Sequence, residues 1–362
     1  MKKKISWIDS VRVLATLMII FAHYFMCVEF SKLTTYLHFA LSYDVAIFSV
    51  SLFLVISGYL VPSSLQRSTN FWQFYKRKLI RVIVPFIVSY ILLTAVLILP
   101  AIFEAPFSEK IPLIYFMRDK NLLPMILGMF PVDLNLINFF GLEIYWFVGE
   151  WFMGTLLWLY LLSPLLYKAA TKFPIASQII SIAIACAVYY MTQPLEAQGI
   201  ILESWTLFIV RVPEFLFGMI LFTHRYKIQK IRLSLSLIFI TGVFAYVFYF
   251  VMTLPPGGTL FFPTNPCRFI LLLPMIYLLF VFAELLNSSH IKFLARFNGL
   301  SDMSYIAMII QHVIIYVFVA VISFDKLGIL EAFVVLSLIT LTIFKVSKVI
   351  KYFSEQILCA NN

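Results

Sequence analysis

The chain has 362 residues, 62% of them hydrophobic and 12% charged, with a net charge of +10. A water-soluble domain carries about 45–50% apolar and about 25% charged residues, so this composition excludes a soluble globule of this size. Lipid must be the solvent for much of the surface, and the positive balance reads as basic cytoplasmic loops rather than a nucleic-acid surface.

The N-terminus, MKKKISWIDSVRVLATLMIIFAHYF, resembles the start of a secretory signal. Its apolar stretch carries Arg12 and His23, however, and no small-residue cleavage site follows. It is therefore expected to be a retained first transmembrane helix. Ten spans of about 20 residues each, enough to cross about 30 Å of hydrocarbon, are predicted along the chain. Their limits are 8–28, 44–62, 79–103, 145–167, 175–192, 205–223, 233–254, 267–286, 304–323 and 327–347. The residues FDKL join the last two as a tight helical hairpin. The expected fold is all-α: a polytopic integral membrane helix bundle, with the whole of 1–362 as one membrane-embedded domain and no soluble domain.

Lysine and arginine set the orientation. The N-terminal tail, alternate loops and the C-terminal region carry 19 of them, the opposite loops 6, and Arg12 and Arg211 lie within spans. The richer face is expected to be cytoplasmic, and an even number of spans then puts both termini there. The longest loop, 104–144, falls on the outer face. Its apolar part is broken by Pro and Gly and reads as a partly re-entrant or interface-lying cover. Cys27, Cys186, Cys267 and Cys359 form no CxxC pair and no zinc-like cluster, so no metal is expected.

Ionisable residues inside spans are costly in lipid, which makes them functional candidates. Arg12 and His23 stand 11 residues apart in the first span. That is about 16 Å along a helix and nearly the same azimuth, so both are expected on one face. Arg12 could also snorkel or pair with Asp9, and His23 could be an interfacial histidine. The second span contains FLVISGYL, 53–60, where Ser57-Gly58 permits close backbone approach. The run YKRKLIRVIVPF, 75–86, brings Arg77, Lys78 and Arg81 into the start of the third span. There they could bind phosphates, supply the positive-inside signal or hold anionic lipid. Trp146 and Glu150 stand at the outer start of the fourth span, as belt residues or a sugar platform. Arg211 and Glu214, at i,i+3 in the sixth span, could pair. Ser304, Gln311 and His312 interrupt the apolar ninth span.

Taken in order, these segments resemble the membrane-bound acyltransferase family 3, bacterial O-acyltransferases of surface carbohydrates. The resemblance runs from residue 8 to about 347. It rests on Asp9, Arg12 and His23 as a D-x-x-R and Arg-x10-His pattern, and on Phe53 to Tyr59 as the FF-x-x-SGF motif. It rests further on Lys78 and Arg81 before Pro85 as R-x-x-R, and on Trp146-Phe147. Arg211, Phe215, Gly218 and Met219, then Ser304, Tyr305 and His312, complete it. Lys78 stands where the family has Arg, with Arg77 beside it.

The resemblance implies an acyl-CoA donor, expected to be acetyl-CoA, on the cytoplasmic side. It also implies a surface carbohydrate or lipid-linked glycan acceptor, and residence in the cell (plasma or inner) membrane. On that reading Arg77, Lys78 and Arg81 hold the CoA phosphates. Arg12 holds the acyl or pantetheine part. His23 is the general base or is transiently acylated, with His312 as a second proton partner. Trp146, Glu150 and Arg211 line the acceptor side. The alternatives are a glycan exporter or flippase without acyl transfer, and a scaffold in a polysaccharide assembly.

Overall fold

The structure is a computed structural model that describes residues 6–27, 40–102, 129, 148–197, 206–224, 269–288, 298–322, 324 and 327–360. Ten helices are described: α1 Ser6–Cys27, α2 Val45–Gln66, α3 Phe71–Ile102, α4 Glu150–Lys172, α5 Pro174–Ala197, α6 Phe208–Thr223, α7 Phe269–Ser288, α8 Asn298–Ser301, α9 Ser304–Val321 and α10 Ile329–Ala360. A π-helical turn, Ala40–Asp44, leads into α2. Among the described residues there is no strand, and seven helices are long and apolar enough to cross a membrane.

Nine of the ten predicted spans overlap a described helix. The span at 233–254 lies outside the described residues, as does the loop at 104–144 apart from Met129, which packs against the core. The α6 helix has 16 residues, about 24 Å, shorter than a full crossing.

Two helices, α3 and α10, run furthest past their predicted limits. The basic run does not open α3, because that helix starts at Phe71. Asn70 Oδ1 accepts the Gln73 N–H at 2.8 Å, and Gln73 Oε1 accepts the Thr69 N–H at 2.9 Å. This exchange caps the helix two turns earlier than hydropathy alone indicates. Lys78 and Arg81 therefore sit in the second and third turns, beyond the reach of the N-terminal dipole, which fades within the first turn. The last helix, α10, has 32 residues and carries Lys345, Lys348 and Lys351 within it. At about 48 Å it outruns the hydrocarbon core.

The centre of the bundle is α2, the most buried of the seven spans. It packs against α6 and α1, and α6 also meets α4 and α5. Two glycines permit the α2–α6 approach. A Cβ on Gly58 would overlap the Phe215 carbonyl, and one on Gly218 would overlap the Val55 carbonyl. Without a hydrophobic force between helices in lipid, such close backbone packing is a main source of cohesion. The outer helices α5 and α10 expose Ile175, Ile179, Leu330, Phe333 and Leu341, the surface that lipid would cover.

Candidate active site

Arg12 and His23 of α1 both face the consecutive helices α8 and α9. Arg12 Nη1 donates to Ser301 Oγ at 3.2 Å and pairs with Asp9 Oδ1 at 3.5 Å, and Ser301 Oγ donates to that same Asp9 oxygen at 2.6 Å. One turn on, Thr16 Oγ1 donates to the Arg12 carbonyl at 2.9 Å and lies 3.4 Å from the Ser304 carbonyl. Near the far end, His23 meets Gln311. The shared azimuth of Arg12 and His23 is thus turned toward α8 and α9, and not toward lipid.

At the His23 end a cavity of about 490 Å³ opens among α1, α2, α4, α6 and α9. It is lined by His23, Glu150, Arg211, His312 and Gln311, with Ile19, Ile47 and Phe152 among its apolar walls. Five residues singled out in the sequence, from four different helices, therefore meet. Trp146 lies outside the described residues; Trp151, in the first turn of α4, lines the cavity.

Each polar wall residue has a local cause. Gly149 adopts φ +63° at the start of α4, a conformation that favours glycine, and a Cβ there would press on Ile309. That turn brings Glu150 Oε1 within 2.8 Å of the Val148 N–H. The carboxylate sits in the first turn, where the helix dipole favours a negative group. Arg211 and Glu214 pair as their i,i+3 spacing predicts, Nη1 to Oε1 at 2.8 Å, both almost completely buried. The Arg211 guanidinium lies 5.8 Å from the Trp151 ring centroid. The His23 and His312 ring centroids are 4.9 Å apart, and the Tyr316 ring centroid lies 4.6 Å from that of His312, both pairs tilted.

The His23 ring has a defined tautomer. Its Nδ1 lies 3.0 Å from the Ile19 carbonyl oxygen, which can only accept, so Nδ1 carries the proton. The lone pair is left on Nε2 of a ring that lines the cavity. Such a nitrogen can take a proton from a hydroxyl held beside it.

Arg12 does not line this cavity. It belongs to a basic pole at the other end of α1, where Lys78 feels the charges of Arg12, Arg81 and Arg67. The Lys78 ammonium sits 5.0 Å from the centroid of the buried Tyr160 ring, whereas Arg81 and Arg77 are exposed. The Arg77 guanidinium donates to the Arg67 carbonyl, Ser68 Oγ and the Gln73 carbonyl, tying the α2–α3 turn together. Between pole and cavity stands Tyr305, whose hydroxyl donates to the Val82 carbonyl at 3.0 Å and touches Met153. Among the described residues no group of three His, Cys, Asp or Glu side chains is placed to hold a metal ion.

Tyr160, Ser51, Ser301 and Gly149 contribute to this architecture without having stood out in the sequence. Small or aromatic residues in apolar spans carry no periodic signal of their own. Gly149 followed by an acidic residue, just before an apolar run, is the one sign a reader could have used.

Fold and cavity define a multi-pass helical membrane protein in which His23, His312, Glu150 and Arg211 line one largely apolar cavity. A family model described as an acyltransferase domain, acyltransferase family 3, matches residues 5–346, and the chain belongs to that family. Its activity class is therefore acyl transfer. No curated protein and no solved structure gives a significant match.

Proposed function

We propose that the protein moves an acetyl group from cytoplasmic acetyl-CoA to a hydroxyl of a surface or exported polysaccharide, through a bundle of ten spans with both termini cytoplasmic. The observation that carries this reading is the single cavity holding His23, His312, Glu150 and Arg211. The basic pole, whose Arg12 lies about 16 Å from His23 along α1, supports a separate seat for the phosphates of the donor. Lys78 and Arg81 would attract them as fixed charges, with Arg77 at the rim and Arg12 next along the path toward His23.

In the reaction, His23 Nε2 takes the acceptor hydroxyl proton as the oxygen attacks the thioester carbonyl. The carbon–sulfur bond then breaks, and the proton passes to the departing thiolate. The products are the ester and free CoA. His312 extends the imidazole surface next to His23 and serves as a second proton partner. Glu150 and Arg211 offer an acceptor and a donor to sugar hydroxyls, Trp151 gives an aromatic face at the α4 start, and Trp146 is assigned to acceptor binding on the family resemblance. A partly dry cavity strengthens each of these contacts.

The test is transfer of label from acetyl-labelled acetyl-CoA to glycan in membranes that contain the protein. The wild type is expected to label the glycan, and His23→Ala, at equal expression, to lose the label. Wild-type transfer by His23→Ala removes His23 from the mechanism. Glycan export without any label supports an exporter instead.

A further inference from the structure

We infer that Gln311 is a positioning residue for His23: its side-chain carbonyl accepts the Nδ1 proton and holds Nε2 as the proton-accepting nitrogen. The inference rests on the acyl-transfer reading and adds a residue to it.

The argument is one of hydrogen-bond valence. The Ile19 carbonyl, 3.0 Å from His23 Nδ1, requires a proton on that nitrogen. Gln311 Nε2 is placed 3.2 Å from the same Nδ1, and an amide nitrogen can only donate. Two donors cannot satisfy each other. Meanwhile Gln311 Oε1 is buried without a hydrogen-bond partner. The two ends of the amide have nearly the same shape, so the network decides its orientation. Turned by 180°, Oε1 meets Nδ1–H, and the proton is shared between the Ile19 and Gln311 carbonyls.

The consequence is chemical. Gln311 is 4% exposed, so bulk water has little access to the contact. An amide carbonyl adds no net charge, so the resting imidazole stays neutral. When Nε2 takes a proton the ring becomes a cation, and the Nδ1–H bond becomes charge-assisted, roughly twice as strong as its neutral form. The gain falls on the step that forms the cation. The other titratable or charged groups around the same cavity are His312 and Tyr316 on α9, Tyr43 before α2, Glu150 on α4 and Arg211 on α6.

The experiment compares full-length wild type, Gln311→Leu and Gln311→Glu in membranes. One readout is the kcat and KM of acetyl transfer. The other is the pH dependence of His23 carbethoxylation by diethyl pyrocarbonate, which attacks neutral imidazole, measured on the His23 peptide by mass spectrometry. Gln311→Leu is expected to lower kcat about tenfold with KM for the acceptor unchanged, the scale of a disturbed proton transfer. Gln311→Glu puts a carboxylate on Nδ1–H, and is expected to raise the carbethoxylation midpoint by about one pH unit. Wild-type kcat in Gln311→Leu, or an unmoved midpoint in Gln311→Glu, overturns the inference. Should Gln311→Glu fail to accumulate, the kcat of Gln311→Leu decides. If the wild type transfers no acyl group while the midpoint still moves, the contact stands and the acyl-transfer reading fails.

Discussion

Glu214 Oε1 receives two hydrogen bonds from different helices: Arg211 Nη1 at 2.8 Å from its own α6, and Ser51 Oγ at 2.5 Å from α2. The carboxylate thereby ties the central helix to the arginine of the cavity wall. Removing one partner of a buried pair leaves an uncompensated charge, which costs about 3–5 kcal/mol. Glu214→Ala should lower the melting temperature of the detergent-solubilised protein strongly. Ser51→Ala, which removes one hydrogen bond to a charged group, should cost about 1.5–3 kcal/mol. Thermal unfolding of the two variants side by side checks the order.

The glycine contacts between α2 and α6 lead to a second expectation. A methyl at Gly58 or Gly218 meets backbone atoms, which cannot rotate out of the way. Gly58→Ala and Gly218→Ala should each destabilise by about 1–3 kcal/mol or more through overpacking. Gly299→Ala has nothing within 4 Å to meet and should leave the melting temperature unchanged. Three melting curves are sufficient.

At the basic pole, Lys78 and Arg81 are assigned to donor phosphates, while Arg77 holds the α2–α3 turn as well. A Lys78→Ala/Arg81→Ala double variant should weaken acetyl-CoA binding at least tenfold and flatten its salt dependence, because two fixed charges are gone. Titration of solubilised protein with acetyl-CoA at low and high salt measures both effects. Unchanged affinity would contradict the assignment.

His312 contacts two rings, so packing and chemistry must be separated. His312→Phe keeps an aromatic ring beside His23 and Tyr316 but loses both nitrogens. It should accumulate like wild type and still transfer acetyl groups about tenfold more slowly or worse. Full activity in His312→Phe would reduce the residue to a spacer.

How much of this was readable beforehand differs by feature. The first span was placed within two residues at its start, because α1 is a long apolar run. The α3 start was missed by eight residues. There the deciding signal was the polar sequence Ser68-Thr69-Asn70 with Gln73, a capping pattern outside the hydropathy window. The Arg211–Glu214 pair was legible because both partners lie on one helix at i,i+3. The Asp9–Arg12 contact was legible for the same reason.

The amino-acid order by itself determined that this chain lives in lipid, where its helices run, and which polar residues they carry inward, since those properties depend on neighbours a few positions apart. Only the tertiary structure decided which of those residues meet. Gln311 reaches His23 across 288 positions and Ser51 reaches Glu214 across 163. No local periodicity encodes such pairings; they follow from how each helix is rotated about its own axis against its neighbours, the approach of α2 to α6 being the one that glycines permit.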